Sequence, residues 1–130
     1  RPSHSLQWLE NKGVFPFTHH QIAPLTGAYC AAHGDFDGDG DIDLATCTMT
    51  WDYKEQRNTI VWYEQHSPGK FLAHPLDYSM GQHPVITAGD FDGDGAIDLA
   101  VGNFEGRETD QQDKTEWFSI WWNEGPKKPE

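Results

Sequence analysis

The chain has 130 residues, and its 21 acidic side chains against nine lysines and arginines give a formal net charge of -12. That length suits one domain with a real core, or part of a larger one, and the negative excess argues against nucleic acid or an anionic membrane surface as a partner. No apolar run is long enough to span a bilayer, so no membrane insertion is expected; if the protein is exported, its signal was removed before residue 1.

Taken in order, the segments are short, rich in β-branched and aromatic residues and separated by Gly, Pro, Asn and Asp. This is the pattern of antiparallel strands, and no stretch keeps a helical spacing. Strands are expected over Leu6 to Glu10, Phe15 to Ile22, Tyr29 to Gly34, Ile42 to Thr48, Thr59 to Glu64 and Phe71 to Leu76, then over Val85 to Gly89, Ile97 to Asn103 and Trp117 to Trp122. Trp8-Leu9-Glu10-Asn11 returns as Trp62-Tyr63-Glu64-Gln65, with Phe17, His20 and Ile22 falling on Phe71, His74 and Leu76; Ile120-Trp121-Trp122-Asn123-Glu124-Gly125 is a third, partial copy. The nine strands therefore read as a four-strand cycle repeated along the chain.

The strongest repeat lies between the first and second strands of each cycle. Asp35-Phe36-Asp37-Gly38-Asp39-Gly40-Asp41-Ile42-Asp43 returns as Asp90-Phe91-Asp92-Gly93-Asp94-Gly95-Ala96-Ile97-Asp98. Carboxylates this dense repel one another unless a cation lies among them. Positions 1, 3 and 5 turn alternate side chains toward a common centre, and a glycine at position 6 permits the positive φ of a sharp turn. Asp41 and Ala96 at position 7 would offer a backbone carbonyl, which explains why a side-chain ligand is dispensable there. Ile42 and Ile97 are expected to point into the core, and Asp43 and Asp98 to close the shell.

An all-oxygen, carboxylate-rich set favours Ca2+ over Mg2+, so two Ca2+ sites are expected, and two such ions would bring the net charge to about -8. The loops are not EF-hands, because Thr46 and Val101 stand where the bidentate glutamate would be and strands flank both loops. A role in stability rather than catalysis follows, since bound cation would tie one strand to the next.

Gly-Asp-Phe-Asp-Gly-Asp-Gly followed by Ile-Asp-Leu-Ala, with a Trp-Tyr-Glu or Trp-Trp-Asn-Glu-Gly strand later in the period, resembles the FG-GAP repeat, also called the VCBS repeat, of integrin-α-like β-propellers. The resemblance covers nearly the whole chain. It implies an all-β fold of four-stranded antiparallel propeller blades, Ca2+ held by Asp35, Asp37, Asp39 and Asp43 and by Asp90, Asp92, Asp94 and Asp98, and an extracellular or periplasmic location. It fixes no reaction and no ligand.

The expected division is a partial blade over 1–27, a full blade over 28–83, a partial blade over 84–125 and a disordered tail over 126–130. Such propellers usually close with more blades than this chain supplies. The missing ones would come from the rest of a longer propeller chain or from a homo-oligomer that completes a ring.

The remaining chemistry is sparse. Cys30 and Cys47 fall on neighbouring strands, where either a cross-strand disulfide or two buried thiols would fit. Trp8, Trp62, Trp117, Trp121 and Trp122 fall largely on third strands, as packing between blades requires. Trp51, beside Asp52 and Tyr53 on a loop, is the exception, and Trp51 with Tyr53 forms the candidate ligand-binding pair for a protein or glycan. The longest connections, around Thr50 to Asn58 and Phe104 to Glu116, read as surface loops, the second almost wholly polar. The seven histidines show no metalloprotease spacing and no nucleophile arrangement appears, so no catalytic residue is assigned. A non-enzymatic structural or interaction module is the leading expectation; a carbohydrate-binding propeller, or blades of a larger polysaccharide-active enzyme, are the rivals.

Overall fold

The computed structural model describes residues 4–51, 54–104 and 116–125. Among them are nine strands and no helix: β1 (Ser5–Glu10), β2 (Thr18–Pro24), β3 (Ala28–Gly34), β4 (Asp43–Thr48), β5 (Arg57–Ser67), β6 (Lys70–Ser79), β7 (Val85–Gly89), β8 (Asp98–Gly102) and β9 (Phe118–Trp121). All pairings are antiparallel, in three sheets ordered β1-β2, β3-β4-β5-β6 and β7-β8-β9. The expected all-β architecture of propeller-like blades is therefore present, as an open stack and not a closed barrel.

Side-chain alternation explains how the sheets stack. Successive residues of a strand face opposite sides, and the middle sheet is covered on both. Ala45, Cys47 and Ile60 pack with Ile86, Leu99 and Val101 of the third sheet. Leu44, Val61 and Tyr63 pack instead with Leu25, Leu6, Ile22 and Ala23, on and beside the first sheet. Consequently β4 is buried along almost its whole length, unlike a strand with one face in water.

Several expectations need correction. β2 begins at Thr18 and not at Phe15, because Pro16 has no N–H to give a ladder and the pairing with β1 ends at Glu10↔Thr18. β5 and β6 run past Glu64 and start before Phe71, since the tight Pro68-Gly69 turn, with Gly69 at φ 74°, lets polar Gln65 to Ser67 continue the ladder. Ile42 does not enter the core: it is 52% exposed. Its repeat equivalent Ile97 packs on Gly34, the last residue of the innermost strand of the preceding sheet. The sheet preceding Ile42 has only β1 and β2 among the described residues, the counterparts of the outer strands β5 and β6, so that surface is missing. Trp117 and Trp122, at 87% and 56% exposed, are not core residues either, because Trp117 precedes β9 and Trp122 follows it.

Cys30 and Cys47 are direct partners in the β3–β4 register, and both are free thiols. Burial, and then the neighbouring Cys30, push the Cys47 thiol up to about 12, and the Cys30 thiol turns to the Ile86 carbonyl of the next sheet at 3.7 Å. The segments 105–115 and 126–130, read from sequence as a polar loop and a tail, lie outside the described residues, as does Tyr53.

Candidate metal centre

The two acidic loops join β3 to β4 and β7 to β8, and the same local bonds shape both. Asp35 Oδ1 accepts from the Gly38 and Asp39 amides (2.8 and 3.1 Å) and its Oδ2 from Gly40 (2.9 Å). Asp90 repeats this with Gly93, Asp94 and Gly95 at 2.8, 3.1 and 2.9 Å. The chain can wrap this tightly because Gly40 and Gly95 adopt φ of 96° and 93°, a region closed to most side chains. Gly38 and Gly93 do likewise at 79° and 77°. The turn thus needs glycine at position 4 as well as at the expected position 6, and Gly-Asp-Gly stands in both copies.

Three carboxylates in each loop bring oxygens within 4.8 Å of one another: Asp35, Asp37 and Asp39 in the first, Asp90, Asp92 and Asp98 in the second. Asp43 and Asp94, expected in the same shells, are not within those groups. Asp41 is half-buried and its side chain is likewise outside them; Ala96 occupies the equivalent place. The first group thus uses positions 1, 3 and 5 and the second positions 1, 3 and 9.

The electrostatics match a site built for positive charge. Asp37 is pushed up to about 6, first by loss of water and then by the Asp43 and Asp39 carboxylates, against one stabilising amide from Asp39. Asp92 is raised for the same reasons, with Asp94 and Asp98 as its neighbours. Asp90 is held below the usual carboxylate range by the amides that surround it, Gly95 foremost. Thus Asp90 is prepared by backbone donors to stay ionised, whereas Asp37 and Asp92 carry repulsion that a cation would remove. The donor set, oxygen throughout and mostly anionic, fits a hard divalent cation.

Position 9 has a second task that the sequence did not reveal. Asp43 and Asp98 are both fully buried. Asp43 accepts from Phe36 N (3.1 Å) at the loop start and from Gln65 N (2.8 Å) near the end of the third strand; Asp98 accepts from Phe91 N (3.0 Å) and from Asn123 N (2.8 Å), just past the third strand of its sheet. Each aspartate therefore ties its own loop to the end of the third strand of its sheet. Gln65 and Asn123 hold matching places in the repeat, which was the available signal.

Beside the first loop, Glu64 reaches Asp37 and lies below the ordinary carboxylate range, chiefly because the His74 ring donates to it. That bond is 2.7 Å, with His74 stacked on Trp62 at 4.5 Å between ring centres. Glu10, His20 and Trp8 repeat the arrangement at 2.9 and 4.4 Å in a sheet that has no described loop, so the trio braces the outer strands. Of the candidate ligand pair, Trp51 is 89% exposed on the surface, away from both acidic loops in sequence and without a described partner ring.

No curated protein and no solved structure matches the chain. Residues 35–101, from the first acidic loop through most of β8 and including the whole second loop, match the FG-GAP-like repeat. Together with the recurring strand–acidic loop–strand unit and the stacked antiparallel sheets, this match places the chain in the FG-GAP-like repeat family of β-propeller-type repeat modules.

Proposed function

We propose that this chain is a Ca2+-binding β-propeller segment that serves as an extracellular or periplasmic structural, adhesive or protein-interaction module, without catalytic activity of its own. The observation that carries the reading is the convergence of three carboxylates within 4.8 Å in each of two loops that share the same backbone turns. The cation would be Ca2+ because such flexible, all-oxygen shells suit its size and high coordination number. Held by these aspartates, it would neutralise the repulsion at Asp37 and Asp92 and join each inner strand to its neighbour.

Further blades are its expected structural partners. Ile42 is 52% exposed where Ile97 is covered, and Phe91 is 47% exposed where Phe36 is half-buried, so each end of the stack presents the surface that an adjoining blade covers inside it. Those blades would come from a longer chain or from a ring-completing homo-oligomer; light scattering distinguishes them by mass.

The primary test is calorimetric titration with Ca2+ together with thermal melts in EDTA and in excess Ca2+. Two bound ions and a higher melting temperature are expected, and neither heat nor shift would overturn the assignment. A second reading, carbohydrate binding, is favoured by the exposure of Trp51, an aromatic face of the kind that stacks on sugars. A silent glycan array with folded, Ca2+-loaded protein would count against it.

A further inference from the structure

We propose that Asn123 is a positioning residue shared by the two acidic loops, and that through it the loops bind their cations cooperatively. The inference rests on the metal reading above and adds to it a linkage between sites.

Asn123 lies just beyond β9, half-buried between the second and third sheets. Its amide nitrogen donates to Phe36 O at 2.6 Å and to Ile97 O at 3.0 Å. Its main-chain N–H donates to Asp98 Oδ1 at 2.8 Å, and its side-chain oxygen accepts from Gly125 N at 2.9 Å. An asparagine amide has two hydrogens, and here one goes to each acidic loop. Phe36 stands between Asp35 and Asp37, the ligands at positions 1 and 3, and its carbonyl belongs to the same peptide plane as the Asp37 amide. Fixing that plane fixes the direction from which Asp37 enters its site.

The bonds form an unbroken path between the two closing carboxylates. Asp43 Oδ2 accepts from Phe36 N, Phe36 O accepts from Asn123, and Asn123 N donates to Asp98 Oδ1. The two equivalents of Asn123 lack this bridge. Gln65 donates its amide to Ile42 O at 2.9 Å in its own sheet and accepts from Gly69, with no side-chain hydrogen bond to another loop among the described residues. Asn11 accepts from Gly13 N at 2.8 Å, in the turn that Asn123 also makes. The local roles are therefore common to the repeat, and the reach to Phe36 is added where one loop-bearing sheet follows another.

The sign of the coupling follows from ordering. A cation that closes the first loop holds the Phe36 carbonyl where Asn123 needs it, and Asn123 in turn holds Asp98 and the Ile97 carbonyl. The second loop then has less conformational freedom left to lose on binding, which is positive cooperativity carried by ordering entropy. By linkage the effect is reciprocal, and the same factor must appear whichever loop is filled first.

The experiment is Ca2+ titration calorimetry on the full chain, as wild type, Asp37→Asn and Asp92→Asn, each repeated with Asn123→Gln. Gln is the residue at position 65, so it retains the bond to its own sheet and shifts the amide away from Phe36; Asn123→Ser provides the same readout if the first variant does not fold. Disabling either loop is expected to weaken the other by about fivefold or more, by equal factors, and Asn123→Gln is expected to reduce that factor to near one. Independent sites in the wild type, or a coupling factor that survives both substitutions, would overturn the role of Asn123 and leave the metal sites intact. Absence of any Ca2+ binding in the wild type would overturn the metal reading and the linkage together.

Discussion

Replacing Asp37 by Asn separates a cation ligand from a purely structural aspartate, because the two roles predict opposite signs. In the metal-free protein Asp37 ionises only near about 6, against an ordinary value of 3.8. A folded value above the unfolded one means that its contribution to stability is fully present below about 4 and is lost as pH rises through about 6. The whole displacement would correspond to about 3 kcal/mol at neutral pH, and solvent screening at this half-exposed position reduces it to about 1 kcal/mol. Asn keeps a side-chain oxygen to accept from the Asp39 amide, the 3.1 Å bond that Asp37 makes, and removes the charge. In EDTA at pH 7, Asp37→Asn should therefore stabilise the fold by about 1 kcal/mol. With free Ca2+ at about one hundred times Kd, each site contributes about 2.7 kcal/mol, and loss of most of one share leaves the variant about 2 kcal/mol below wild type. For a chain of this size that is a melting temperature about 3 to 5 °C higher in EDTA and about 6 to 10 °C lower in Ca2+. Urea or thermal melts under the two conditions provide the comparison. A variant that is weaker by the same amount with and without Ca2+ would refute the reasoning, since Asp37 would then be acting through its hydrogen bond alone.

Gly27→Ala should cost about 2 to 3 kcal/mol in a urea melt, because Gly27 has a φ of 75° and an added Cβ would collide with the Thr50 methyl and stand 3.0 Å from Met49 O; a loss below about 0.5 kcal/mol would contradict this. The Cys47 thiol, raised to about 12, should resist thiol reagents at pH 8 until the chain unfolds. Because the folded value lies above the unfolded one, its share of stability should be intact below about 9 and decline toward about 12; pH-dependent melts of Cys47→Ala against wild type measure the difference. Trp51→Ala should leave stability within about 0.5 kcal/mol, since the side chain is 89% exposed, while abolishing whatever glycan binding an array detects.

Much of this protein was legible along the chain. Short segments rich in β-branched and aromatic residues, bounded by Gly, Pro, Asn and Asp, marked the strands, and the Trp-x-Glu and acidic motifs set the period, because strand propensity and tight glycine turns are local properties set within a few residues. The acidic loops could be read for the same reason: Asp35 and Gly40 are hydrogen-bonded partners only five residues apart. What the chain order could not reveal was which surfaces meet. Ile42 and Ile97 have the same neighbours in sequence, yet Ile97 is packed on Gly34 and Ile42 is 52% exposed. Asn123 and Phe36, 87 residues apart, share a hydrogen bond that no periodicity encodes. Burial and long-range bonding depend on whether another sheet lies opposite, and that is decided only when the sheets stack. Two loops dense in carboxylates could be read along the chain; that a hydrogen-bonded path joins them emerged only once the sheets were stacked.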